Sequence, residues 1–237
     1  MAKKKPTFFD NYNATQVLAL SFMVYETQGF IRSGEGYTDY KDADNPVEVK
    51  DNKTHVLGMM EQNVMPSEKY TDLASETIDK FNGKFMLKKL TGGLTKFEQG
   101  VSSAFSEELT NFHVAVIASI PHMNEIDKKR QAVSDKIEAL RFDSEFFGET
   151  RKRYNISVEV IDVKFIQSSG VYMITSVYNN RDIIKFWWRD QPDISDIIDG
   201  KTINLRGTVN KHEKSKYSNA KETMLNRVKI SEKKVDK

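Results

Sequence analysis

The 237-residue chain contains no cysteine, only five prolines and only two tryptophans. Without thiols it forms neither disulfides nor thiolate zinc sites and has no cysteine nucleophile, which suits a reducing compartment. Apolar stretches are short, and none comes near the roughly 18 consecutive residues a membrane helix needs, so no membrane association is expected. The basic opening Met1-Ala2-Lys3-Lys4-Lys5-Pro6 has no apolar stretch behind it. No secretory signal is read there, and the cytoplasm is the expected location.

Signs of catalysis are equally few. His55, His113, His122 and His212 lack metal-ligand spacing, and His113, inside an apolar run, reads as a core residue. The string Thr91-Gly92-Gly93-Leu94-Thr95-Lys96 lacks the residue order of a phosphate-binding loop and reads as a helix break. Asp39, Asp42 and Asp44 alternate without the glycine and distal glutamate of a calcium loop. No nucleophile–base or paired-carboxylate arrangement stands out, so neither an enzyme, a cofactor nor a metal site is expected.

What the chain does have is a division of charge. Residues 151–237 carry 18 Lys+Arg against 11 Asp+Glu, whereas residues 1–150 carry 18 against 23. A basic half joined to an acidic half points to a polyanion partner for the basic part.

Residues 1–147 are expected to be mainly α-helical. Asn11 or Asn13 caps a first helix whose apolar positions (Val17, Leu20, Phe22, Val24, Tyr25) are crowded rather than striped, and the Gly- and Asp-rich stretch 29–52 reads as loop. A helix follows Ser67, with Tyr70, Leu73, Ala74, Ile78 and Phe81 at helical spacing and Gly83 at its end. Gly92 and Gly93 break the chain before another helical stripe from Phe97 to Phe105. The run Phe112–Ile120 is buried as helix or strand, and Pro121 starts a charged helix.

Near Phe147 the period changes from 3.6 to 2, and the domain boundary is placed there, with the second domain over 148–237. Ile156, Val158 and Val160 alternate with polar residues, then the alternation slips by one to Ile161, Val163 and Phe165, as at a β-bulge. Further strands are expected over Val171–Tyr178, Ile183–Trp188, Thr202–Val209 and Thr223–Ile230, with a tight turn at Asn179-Asn180, a connection over Pro192–Gly200 and a polar loop over Lys211–Lys221.

The strings Ile183-Ile184-Lys185-Phe186-Trp187-Trp188, Gly200-Lys201-Thr202-Ile203-Asn204-Leu205-Arg206-Gly207-Thr208-Val209-Asn210-Lys211-His212 and Thr223-Met224-Leu225-Asn226-Arg227-Val228-Lys229-Ile230 carry a resemblance. Over roughly Tyr154–Ile230 the chain resembles the OB domains of single-stranded nucleic-acid-binding proteins. It is also similar to OB modules that end uncharacterised bacteriophage proteins behind a helical region. The resemblance implies an α+β protein with a C-terminal five-stranded antiparallel OB barrel.

Non-sequence-specific binding of a single strand needs flat π surfaces for bases and cations along the backbone. Tyr172, Tyr178, Phe186, Trp187 and Trp188 are the candidate surfaces, with Tyr217 in the polar loop. Lys185, Arg189, Arg206, Lys211, Lys214, Lys216, Arg227 and Lys229 are the candidate cations. Adjacent tryptophans on a strand face opposite ways. Lys185 shares the parity of Trp187, so Trp187 is expected outside and Trp188 inside.

Two functions fit. One is a single-stranded DNA-binding accessory protein of replication, recombination or repair, phage-encoded and working in the host cytoplasm. DNA is favoured over RNA as its ligand, and the helical region would contact another protein or a second copy. The other is an OB module that binds protein, as an adaptor or inhibitor.

Overall fold

Five strands cannot close into a ring with every neighbour antiparallel, because alternating directions fail to match after an odd number of steps. The computed structural model, which describes residues 7–41, 45–189, 200–216 and 218–231, contains such a ring. In chain order the elements are α1 (Ala14–Gln28), β1 (Tyr37–Asp39), β2 (Val47–Val49), α2 (Asn52–Glu61), α3 (Glu68–Thr91), α4 (Lys96–Ser106), α5 (Asn111–Ala139), β3 (Arg153–Ile166), β4 (Val171–Tyr178), β5 (Asp182–Trp188), β6 (Thr202–Lys214) and β7 (Lys221–Ser231). The protein is α+β, with helices in the N-terminal half and a closed barrel in the C-terminal part.

The barrel order is β3-β4-β5-β7-β6, with β6 returning to β3. Every pair is antiparallel except β5 and β7, which run parallel from Ile183/Glu222 to Phe186/Leu225. The expected all-antiparallel barrel is thereby corrected to a mixed one, as the odd strand number requires. This closed five-stranded barrel is consistent with an OB-like fold.

Local chemistry places the strands. The register of β3 against β4 shifts between Val160 and Asp162, where the sequence alternation slips. The bulge lets one long strand pair with β6 over its first half and with β4 over its second. Asn179 and Asn180 both have positive φ (49° and 55°), which gives the tight β4–β5 turn its hand. Inside, Val158, Val160, Ile174, Ile184, Phe186, Leu205 and Val209 form the core. One end is closed by Phe147, packed edge-on against Tyr154 and Tyr178 at 5.0 and 4.8 Å. The segment leading to it is tied to the barrel rim. Ser144 Oγ donates to Lys221 O (2.7 Å), Glu145 N to Asp182 Oδ1 (2.9 Å) and Phe147 N to Thr223 Oγ1 (2.9 Å). The chain divides into two compact units at Asp127/Lys128, inside α5, so the residues from Lys128 to Phe147 group with the barrel.

In the helical unit, α1 is buried at Val17, Leu18, Ala19, Leu20 and Val24. Burial on nearly all sides explains apolar positions that crowd instead of striping. Asn13 caps it through a reciprocal bond with Gln16.

Three expectations need correction here. The stretch 29–52 is not all loop, since β1 and β2 pair as a small hairpin. The helix α2 follows directly on Asp51, whose carboxylate caps it at Thr54 N. Gly83 does not end α3, which runs on to Thr91. Carrying Phe85 into the core against Phe81 (5.4 Å) outweighs the roughly 1 kcal/mol a helical glycine costs. Pro121 does not start a helix but lies inside α5, where burial of Ile117, Ala118 and Ile120 offsets the lost backbone donor.

The first turn of α4 holds a strongly shifted carboxylate. Thr95 and Glu98 form a reciprocal capping box, and Glu98 also accepts from Lys88 Nζ at the end of α3. The lysine first, then the capping donors, lower the Glu98 pKa from 4.5 to about 2. A carboxylate lowered by folding stabilises the fold above its unfolded pKa, and that contribution is lost as pH falls from 4.5 towards 2. Allowing for the partly exposed lysine, it is worth about 2 kcal/mol. Thermal unfolding should therefore show wild type losing stability through this window relative to Glu98→Gln. Parallel pH curves for the two proteins would mean that Glu98 is not coupled to folding.

Candidate nucleic-acid interface

Parity along β5 decides which aromatics can meet a ligand. Ile184, Phe186 and Trp188 point inward, while Lys185 and Trp187 point out. Trp187 is 49% exposed and Trp188 is 9% exposed. Phe186 is completely buried, so it is withdrawn from the candidate surface and belongs to the core. Tyr178 is half-buried against Phe147 at the closed end. Tyr172 lies across from Trp188 at the other end and packs on Phe165 at 4.8 Å. Of the five aromatics expected on β4 and β5, one stands on the outer face. Tyr217 lies outside the described residues.

Phe165, also 49% exposed, is a surface ring that sequence reasoning misses. It continues the β3 alternation after the bulge, which marks it as core, but it falls at the rim. Lys164 and Met173 escape sequence reasoning as well. They pair across β3 and β4 on the outer face, and Met173 is also the cross-strand neighbour of Trp187. The post-bulge parity is the signal that could find both.

On the outer face of β4 and β5, Thr175, Val177 and Ile183 are buried, and a groove of about 680 Å³ runs along the second half of β3 and reaches that face at Lys185. Its floor includes Lys164, Lys185 and Glu222. Ser215 and Ser218 from the β6–β7 hairpin stand at one side, and Val133 and Ile137 from the last turns of α5 at another. OB folds hold oligonucleotides on the face of the second and third strands and at the loop between the fourth and fifth; of these the groove takes in Lys185 and the β6–β7 hairpin. The polar loop over Lys211–Lys221 is shorter than expected, because Lys211–Lys214 pairs with Lys221–Met224 as ladder and only 215–220 remain outside the strands. Outward side chains of a ladder that runs past the core are polar in any case, so composition does not separate them from a loop.

The cations fall into three groups. Lys185 is committed to Glu222, 2.8 Å away, with both side chains largely buried, and Lys211 is paired with Glu213 at 2.5 Å. Arg189, Lys214 and Lys216 are exposed, as is Lys164. Arg206, Arg227 and Lys229 are exposed too, but on β6 and β7. In the ring β6 stands opposite the β4–β5 edge, so the structure does not bring these three together with the groove.

The histidines have structural partners. His113 is buried between Ser103 Oγ (3.1 Å) and Glu108 O (2.9 Å), and His212 meets Phe147 O at 3.0 Å. Among the described residues no group of three or more His, Asp or Glu side chains could hold a metal ion, and no helix is long and apolar enough to cross a membrane. Compared with protein-family models, curated proteins and solved structures, the chain finds no match in any of the three.

Proposed function

We propose that the barrel binds single-stranded DNA along the β4–β5 face, and that the protein is a non-catalytic accessory factor of DNA replication, recombination or repair. The observation that carries this reading is Trp187. It is half exposed near the end of β5, between the buried Phe186 and Trp188, with Met173 across the ladder and Arg189 beside it in a shallow concavity. A base stacked on an exposed indole needs no sequence-specific contact, and nearby cations follow the backbone.

Fluorescence anisotropy of labelled oligo-dT with the full-length protein tests it. Trp187→Ala should weaken binding by about 1–3 kcal/mol, the usual worth of one stacked base, with an unchanged thermal midpoint. Unchanged dT affinity in that variant would remove the stacking claim. Absence of dT binding by the wild-type protein would favour the protein-interaction reading.

A further inference from the structure

We infer that the barrel carries a second nucleic-acid surface, centred on β6 and opposite the groove, which takes the phosphate backbone of a DNA duplex. The register identifies it. Where β3, β6 and the end of β7 lie side by side, the outward residues include Arg153 and Asn155 on β3, Asn204 and Arg206 on β6, and Arg227 and Lys229 on β7. Ser157, Thr208 and Asn226 lie among them. Each of these side chains can donate a hydrogen bond, and Glu159, the next outward residue of β3, is a carboxylate already held by Lys136.

The pairing within this face is unfavourable for the fold alone. Arg206 sits directly opposite Lys229, and like charges in that position destabilise a ladder. Elsewhere on the same hairpin such conflicts are compensated. Glu213 faces Glu222, but each has its lysine, Lys211 and Lys185, and Lys221 has Glu145. Arg206 and Lys229 have no carboxylate partner among the described residues. Beside them a register shift between Arg206 and Thr208 places Arg227 at φ 50°, a conformation a long side chain rarely adopts. A bulge re-aims a side chain, and this one adds a fourth cation to Arg153, Arg206 and Lys229. Uncompensated cations with amide and hydroxyl donors around them, and no ring to stack a base, suit backbone phosphates whose bases stay paired.

The surface rests on its own residues and stands whether or not Trp187 stacks a base. For the full chain, four phosphate contacts would give a duplex salt slope of about −3.6. The double change Arg206→Gln with Lys229→Gln should flatten that slope by about 1.8 and lower duplex affinity roughly tenfold or more near 0.1 M salt. Relief of the like-charge pair should leave the thermal midpoint equal or higher, which separates lost binding from lost folding. Arg206→Lys, which keeps the charge, should hold duplex affinity within about threefold. Saturating oligo-dT should leave labelled duplex bound to the wild-type protein. Duplex affinity unchanged by the double change overturns the inference, as does complete displacement of duplex by dT, which would mean a single continuous site. Loss of binding to phosphatidylserine vesicles with duplex binding intact would assign the face to lipid and overturn it as well. None of these outcomes depends on Trp187→Ala, whose failure would affect the groove alone.

Discussion

Phe186→Ala is expected to cost about 3–5 kcal/mol, the usual loss for a fully buried aromatic ring, and to unfold the barrel near physiological temperature. Phe186 is completely buried at the point where the ring closes. It pairs with Ile174 on β4 and, across the parallel contact, with Leu225 on β7, and both neighbours are themselves buried. A cavity there opens between strands held in place by ladder bonds on both sides, so little collapse can offset it. Trp188→Ala should follow the same course at slightly smaller cost because its ring reaches the rim. Trp187→Ala, one residue from each, should change stability by no more than about 0.5 kcal/mol, as surface substitutions do. Urea denaturation of the three variants checks this. Equal losses at 186 and 187 would mean that the inward and outward assignments along β5 are wrong.

That ordering is legible in the sequence, because it follows from parity alone. A lysine at 185 marks the outward side, and everything two residues on shares it. The bulge is legible for the same reason, since a one-residue slip in alternation has no other simple cause in a long strand. Other features depend on partners far away in sequence. The parallel β5–β7 contact is a consequence of ring closure and is invisible in either strand. Lys185 reads as a phosphate contact until Glu222, 37 residues on, claims it. The aromatic surplus that suggests a broad stacking surface is largely absorbed by Phe147, which comes from outside the strands to plug one end and takes Tyr178 with it. Gly83 and Pro121 read as boundaries because a short window of sequence offers only local propensity. Burial of Phe85, and of the apolar residues around Pro121, decides those helices instead. The division of the cations between two faces follows only from the strand order, since Arg206 and Trp187 belong to strands that are not neighbours in the ring.

Salt should separate the groove from a protein-binding surface more sharply than any single substitution. Of the cations near the β4–β5 face, Lys185 is held by the buried Glu222 and Lys211 pairs at the surface with Glu213, which leaves Lys164, Arg189, Lys214 and Lys216 exposed and in no ion pair among the described residues. Three or four phosphate contacts on a single strand give a slope of about −2 to −3 in log K against log[salt]. Between 50 and 500 mM salt, affinity for oligo-dT should then fall by about 10²–10³, on the order of 3–4 kcal/mol. Stacking on Trp187 is weakly screened, so measurable binding should persist at the high end and disappear in Trp187→Ala. Changing Lys211, Lys214 and Lys216 together to alanine should flatten the slope by about 1.4, the value for two contacts, because Lys211 is held by Glu213 and releases no counterion from a phosphate. A flattening of about 2 would mean that the Lys211–Glu213 pair opens to admit the strand. A slope that the triple change leaves untouched would move the strand off the β6–β7 hairpin and onto the Lys164 and Arg189 side of the groove.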